Sequence, residues 1–202
     1  MNVKDLWQQL KSMKKYIWVS TAIFLFGILL GYLNVYESLM ESTIESMKTL
    51  LGEVEGGPLS LGWFGFILMN NLSTILYVIF LGVFFAFVPA YFLVINGMVI
   101  GYLASHLSGD QAALRFLVSI LPHGILELPA IVIAGAFGIR FGFLFIDTII
   151  SLPVAAARSR LRVKLQVFMR TTLTLTVYLF VILLLAAVIE VTITPWLLGA
   201  IF

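Results

Sequence analysis

The sequence predicts an all-α fold: a polytopic helical membrane protein of about five spans in one domain, with the N-terminus inside and the C-terminus outside. Three observations carry this. The 202 residues are 61% hydrophobic and only 11% charged, with a mean hydropathy of +1.10; a soluble domain carries roughly twice that charge fraction. The apolar runs are long enough to cross hydrocarbon, which takes about 20 helical residues. The charges are segregated into Lys-rich, Glu-rich and Arg-rich blocks, so their placement matters more than the net charge of +2.

Residues 1–15 read as a cytoplasmic interfacial segment, with Leu6, Trp7 and Leu10 on one helical face beside Lys11, Lys14 and Lys15. The run Tyr16–Leu33 is the first span, edged by Tyr16, Trp18 and Tyr32. It is long enough to cross and lacks a small-residue cleavage site, so a retained signal-anchor is expected. Residues 34–62 form an extracytoplasmic amphipathic loop. In it Tyr36, Met40, Ile44, Met47 and Leu51 follow helical spacing, while Glu37, Glu41 and Glu45 make a parallel acidic stripe. That stripe suits a membrane surface or a partner protein, or simply solvates a linker. Gly56-Gly57-Pro58 ends the helix.

From Trp63 to Leu107 the chain is almost uncharged. Asn70 and Asn71 read as a cap for a helix over 72–88, with Pro89 as its break. A second span follows over 90–107, interrupted at Asn96-Gly97, and Gly97 with Gly101 has the spacing that lets membrane helices approach closely. After the polar turn Ser108-Gly109-Asp110-Gln111, the run Ala112–Gly138 holds the most unusual stretch, with Gly135 and Gly138 as another packing face. Phe141–Pro153, with Asp147 inside it, is short enough to suggest a tilted or re-entrant helix. Residues 157–171 are basic and free of acids, with Arg158, Arg160, Arg162, Lys164 and Arg170. With Leu161, Leu165 and Phe168 on one side they suit an anionic lipid surface. A last span covers 173–194, closed by Pro195-Trp196. The two basic blocks should be cytoplasmic, which fixes the orientation and requires an odd number of crossings between 60 and 157.

The chemistry concentrates in Leu121–Ala130. His123 and Glu127 are four apart and share one helix face. Pro122 suits a first helical position, and Pro129 would free the carbonyl of Ile125 and bend the helix. Charges and free carbonyls in hydrocarbon cost several kcal/mol unless partnered, so this stretch should face protein or a polar cavity. Three readings are open. In the preferred one, Glu127 pairs with His123, Arg115 or Arg140 and Asn96 satisfies a freed carbonyl, giving an interhelical clamp. In the second, His123 and Glu127 relay a proton or cation through a broken helix, as in a transporter. In the third they bind a metal, with His106 or Asp147 closing the set, for intramembrane hydrolysis. Only two histidines exist and the two-histidine zinc protease signature is absent. The preferred reading holds no metal and no cofactor. With no cysteine, disulfides, thiolate sites and cysteine nucleophiles are excluded. No phosphate-cradling glycine loop occurs, and nucleic acid is not an expected partner.

Asn70-Asn71, Asn96-Gly97 with Gly101, the block Pro122-His123-Gly124-Ile125-Leu126-Glu127-Leu128-Pro129-Ala130, and Gly135 with Gly138 resemble the stage II sporulation protein M family. The likeness is strongest over residues 65–150. It implies a multi-pass plasma-membrane protein without catalytic activity of its own. Such a protein would scaffold a septal complex with peptidoglycan-remodelling partners, and relatives in organisms that do not sporulate make sporulation itself optional. The helix carrying Glu37, Glu41 and Glu45 is the expected site of an extracytoplasmic partner. A homo-oligomer through the glycine faces is also open.

Overall fold

The computed structural model describes residues 3–54, 59–151 and 155–202, and the side chains of all of these except 3–6, 155–158 and 160. All regular structure among them is helical: α1 (Val3–Ser12), α2 (Lys14–Tyr32), α3 (Glu37–Gly52), α4 (Leu61–Phe80), α5 (Phe87–Ser105), α6 (Ala112–Ser151) and α7 (Ala155–Ile201). Five helices (α2, α4, α5, α6 and α7) are long and apolar enough to cross a membrane. This agrees with the expected span count. Leu6, Gly56-Gly57-Pro58, Pro153, Arg158 and Arg160 were assigned roles from sequence, and their side chains lie outside the described residues.

Lipid cannot hydrogen-bond the backbone, so the fold is built where helices come close enough to pack without bulky side chains. The tightest seam joins α2 to α5. A methyl group on Gly27 would strike the backbone of Val94, and one on Gly31 that of Met98; Gly97 stands likewise against Phe24 and Gly101 against Ile28. The close-approach pattern at Gly97 and Gly101 is therefore met by a matching pair on α2, within the same chain. The contacts pair residues in ascending order on both helices, so α2 and α5 run parallel. Their ends meet where the Ser105 hydroxyl donates to the Asn34 side chain at 3.1 Å. Gly135 and Gly138 serve α6 in the same way: Gly135 takes Leu93 and Ser20, and Gly138 takes Val78 and Pro89. Buried Ser20 donates to the carbonyl of Val132 at 2.7 Å, tying α2 to α6.

Several boundaries differ from the sequence reading. Helix α4 starts eleven residues earlier than expected, capped by Ser60, whose hydroxyl accepts from the Trp63 N–H. Asn70 and Asn71 are thus mid-helix rather than a cap. The break before α5 lies at Leu81–Ala86, where a 3-10 turn is followed by Phe85 and Ala86, both with positive φ. Pro89 sits in the first turn of α5, where its missing donor costs little. Asn96-Gly97 does not interrupt α5. Helix α6 runs through Pro122 and Pro129 and onward to Ser151, so Pro122 is not a first position and 141–151 is not a separate re-entrant piece; 152 and 153 lie outside the described residues. In hydrocarbon, ending a helix at proline would orphan further backbone groups, and continuing it costs less. At 40 residues α6 is about 60 Å long, twice the hydrocarbon thickness.

The basic segment is a continuation of the last span, and α7 also passes through Pro195. Its period is helical: Leu161 and Phe168 are buried, while Arg162 and Lys164 are exposed. Phe168 stacks on Phe137 and Phe141 of α6. Helix α3 is amphipathic as expected, but its apolar face is occupied by the chain itself. Met40 is fully buried against Met98 and Tyr102, and Glu37, Glu41 and Glu45 are exposed on the other side.

Candidate functional site

The buried stripe of each helix decides which polar groups meet. On α6, the i, i+4 spacing places His123 and Glu127 on one face, and both are partly buried. On α7, Leu183, Ala186, Ala187 and Val191 are buried, and Glu190 lies on that same inward stripe, seven residues after Leu183 and three after Ala187. One ligand-type atom from each of His123, Glu127 and Glu190 lies within 4.8 Å of the other two. On α4, Ile67 and Ile75 are buried, and Asn71, four from each, lines the same pocket as Glu127.

These groups line a cavity of about 570 Å³ between α4, α5, α6 and α7. Its wall includes Asn70, Asn71, Thr74 and Asn96 beside His123, Glu127 and Glu190, with Trp63, Ile67, Ile100 and Leu128 supplying apolar surface. Thr43, Met47 and Leu51 of α3 contribute to the lining, so the acidic helix roofs the cavity with its apolar face. Gly124 widens the cavity: a methyl group there would meet only side chains of its own helix, at 3.2 Å or more. Two buried donors on this wall, His123 Nδ1 and Trp63 Nε1, have no hydrogen-bond partner. Such groups are rare in a well-satisfied interior and point to a polar occupant.

The other sequence candidates are elsewhere. Arg140 donates to the Met13 sulfur at 2.7 Å and sits over the Phe168 ring; Arg115 lies over the Phe202 ring. Neither arginine is within ion-pairing distance of Glu127, which corrects the expected clamp. The bilayer explains this: an arginine can pair with rings and sulfur while keeping its head near an interface, without paying to enter hydrocarbon. His106 stands at the end of α5, 4.0 Å from Glu37, with Nδ1 3.0 Å from the Tyr102 carbonyl, and Asp147 is exposed near the far end of α6. Neither joins the cluster. Asn96 does line the cavity, but its amide donates to Phe92 of its own helix at 2.8 Å rather than to a carbonyl freed by proline. Pro129 is exposed and turned away from the cavity.

Glu190 and Asn71 were missed as site residues. A last span over 173–194 puts Glu190 near its far end, and the cap reading puts Asn71 at the start of a helix. Their spacing from apolar neighbours was the signal: each falls on the inward stripe of its helix.

The sequence profile of the family described as Stage II sporulation protein M matches residues 20–195. The uncharacterized protein MJ0706 of Methanocaldococcus jannaschii is 25% identical over 169 residues, covering 76% of this chain and 73% of that protein. No solved structure matches the chain significantly.

Proposed function

This chain belongs to the stage II sporulation protein M family, and from that premise we propose that it works as a non-enzymatic multi-pass scaffold of the plasma membrane. In this reading the N-terminus and the basic start of α7 face the cytoplasm, where exposed Arg162 and Lys164 meet anionic headgroups. Helix α3 and the C-terminus then face outward. The observation that carries the reading is the division of labour on α3. Its apolar side is committed to α5 and the cavity, while Glu37, Glu41 and Glu45 stand exposed on a helix anchored by fully buried Met40. A charged surface held by a buried anchor is oriented toward solvent and suited to a basic face on an extracytoplasmic partner. The family resemblance makes peptidoglycan-remodelling proteins the partner class.

The test is a crosslinking pull-down in the native cell with the parent protein and with Glu37, Glu41 and Glu45 all changed to Lys. The scaffold reading expects peptidoglycan-remodelling proteins with the parent and their loss with the triple variant. Equal recovery from both would argue against it. A second reading, a proton- or cation-coupled transporter, draws on the cavity with its ionisable wall. It expects proton-linked flux in proteoliposomes that Glu127→Gln removes.

A further inference from the structure

We propose that His123, Glu127 and Glu190 form a binding site for one divalent cation of the zinc class, held between α6 and α7 beneath α3. The inference is independent of the scaffold reading and uses no partner protein.

Charge is the first argument. Glu127 and Glu190 bring carboxylate oxygens within 4.8 Å of each other, inside a bundle that the sequence requires to sit in lipid. Among the described residues no Lys or Arg forms an ion pair with either. The two arginines nearest in sequence to Glu127 are spent on the Phe202 ring and on Met13 with Phe168. Two carboxylates at that separation repel, and at membrane depth each needs a counter-charge. A divalent ion neutralises both at once, with imidazole as a neutral third ligand.

Geometry is the second. Ligand atoms around a tetrahedral zinc, each about 2.0–2.2 Å from the ion, stand roughly 3.3 Å from one another. A set within 4.8 Å is within about 1.5 Å of that spacing. Three protein ligands leave a fourth position, which here faces the cavity. The ligand types select the metal: one imidazole with two carboxylates suits zinc and its first-row neighbours, and the absence of thiolates disfavours soft monovalent copper.

The surroundings are the third. Ligating carboxylates are held in turn by hydrogen bonds, and the Asn71 amide, which lines the same pocket as Glu127, is the group placed to supply one. The His123 Nδ1 is buried and without a partner, in a wall that leaves Trp63 Nε1 in the same state. A metal with its bound water would give these donors something to address.

The experiment uses the full chain in detergent, stripped with chelator, re-equilibrated with zinc alone and freed of excess by gel filtration. One equivalent of zinc is expected to remain by elemental analysis. Glu190→Gln and His123→Ala should each lower the affinity by 100-fold or more, and Asn71→Ala by about 10-fold. His106→Ala, which lies outside the site, should leave it unchanged. Cobalt in place of zinc should give a visible absorption band that Glu190→Gln abolishes. If the stripped parent retains no zinc, the carboxylates share a proton instead and the proposal fails. It fails equally if Glu190→Gln, eluting as the parent does, binds as tightly. Should a variant lose its fold, the parent's retained equivalent and a zinc-dependent rise in thermal stability, reversed by chelator, still decide the matter.

Discussion

The α2–α5 seam and the wall between α6 and α7 around Glu190 are both interhelical contacts within one bundle, and they are built on opposite terms. In the seam four glycines bring the two backbones into contact, so packing is dense and is completed by apolar side chains such as Phe24 and Leu93. Around the cavity, side chains of six helices, α2 to α7, stand apart over about 570 Å³, and the polar groups gather there. Packing without a hydrophobic driving force needs close approach. The seam secures it, and the α6 contacts at Gly135 and Gly138 extend it. That framework lets the first half of α6, around His123 and Glu127, hold a loose, polar wall, about two turns or more before the glycines that pack.

Three substitutions test this contrast. The largest effect is expected from Gly97→Ala. Its new methyl would overlap the backbone of Phe24, which cannot rotate away. We expect a loss of about 3 kcal/mol or more, seen as a steep drop in detergent unfolding midpoint or loss of the monodisperse species. Ser20→Ala comes next. It removes the bond to Val132 and should cost about 0.6–1.7 kcal/mol in a reversible unfolding assay. The smallest effect is expected from Gly124→Ala, where the methyl meets only Ile120 and Leu128 of its own helix. Alanine favours the helix by about 1 kcal/mol over glycine, so stability should hold or rise slightly. Opposite signs for the same Gly→Ala change at 97 and 124 would sharpen the comparison, and equal losses would break it.

Much of this was legible in the sequence. Composition and charge blocks predicted the helical membrane class and a span count that five long apolar helices match. Spacing predicted the amphipathic α3 and the placing of His123 and Glu127 on one helix face, where their ligand atoms come within 4.8 Å. Two kinds of signal misled. Prolines and asparagines were read by rules for water, where Pro122 starts a helix and Asn71 caps one. In lipid the backbone has no alternative partner, so α6 runs through both prolines and Asn71 can sit mid-helix. The second kind is tertiary. Nothing local distinguishes Arg140, captured by Met13 and Phe168, from an arginine free to pair with Glu127. Glu190 was recoverable, because it continues the stripe of Leu183 and Ala187, once α7 was allowed its full length.

That length has a mechanical meaning. Helix α7 is continuous from Ala155 to Ile201, and Glu190 lies 29 residues beyond Leu161, about 44 Å along the axis. A rod of that span pivoting by 5° at Leu161 would sweep the glutamate sideways by about 4 Å, more than the spacing between neighbouring ligands of one ion. Whatever tilts the arginine-bearing end of this rod is therefore geared, over a distance greater than the thickness of a hydrocarbon core, to whether His123, Glu127 and Glu190 can close on a common point.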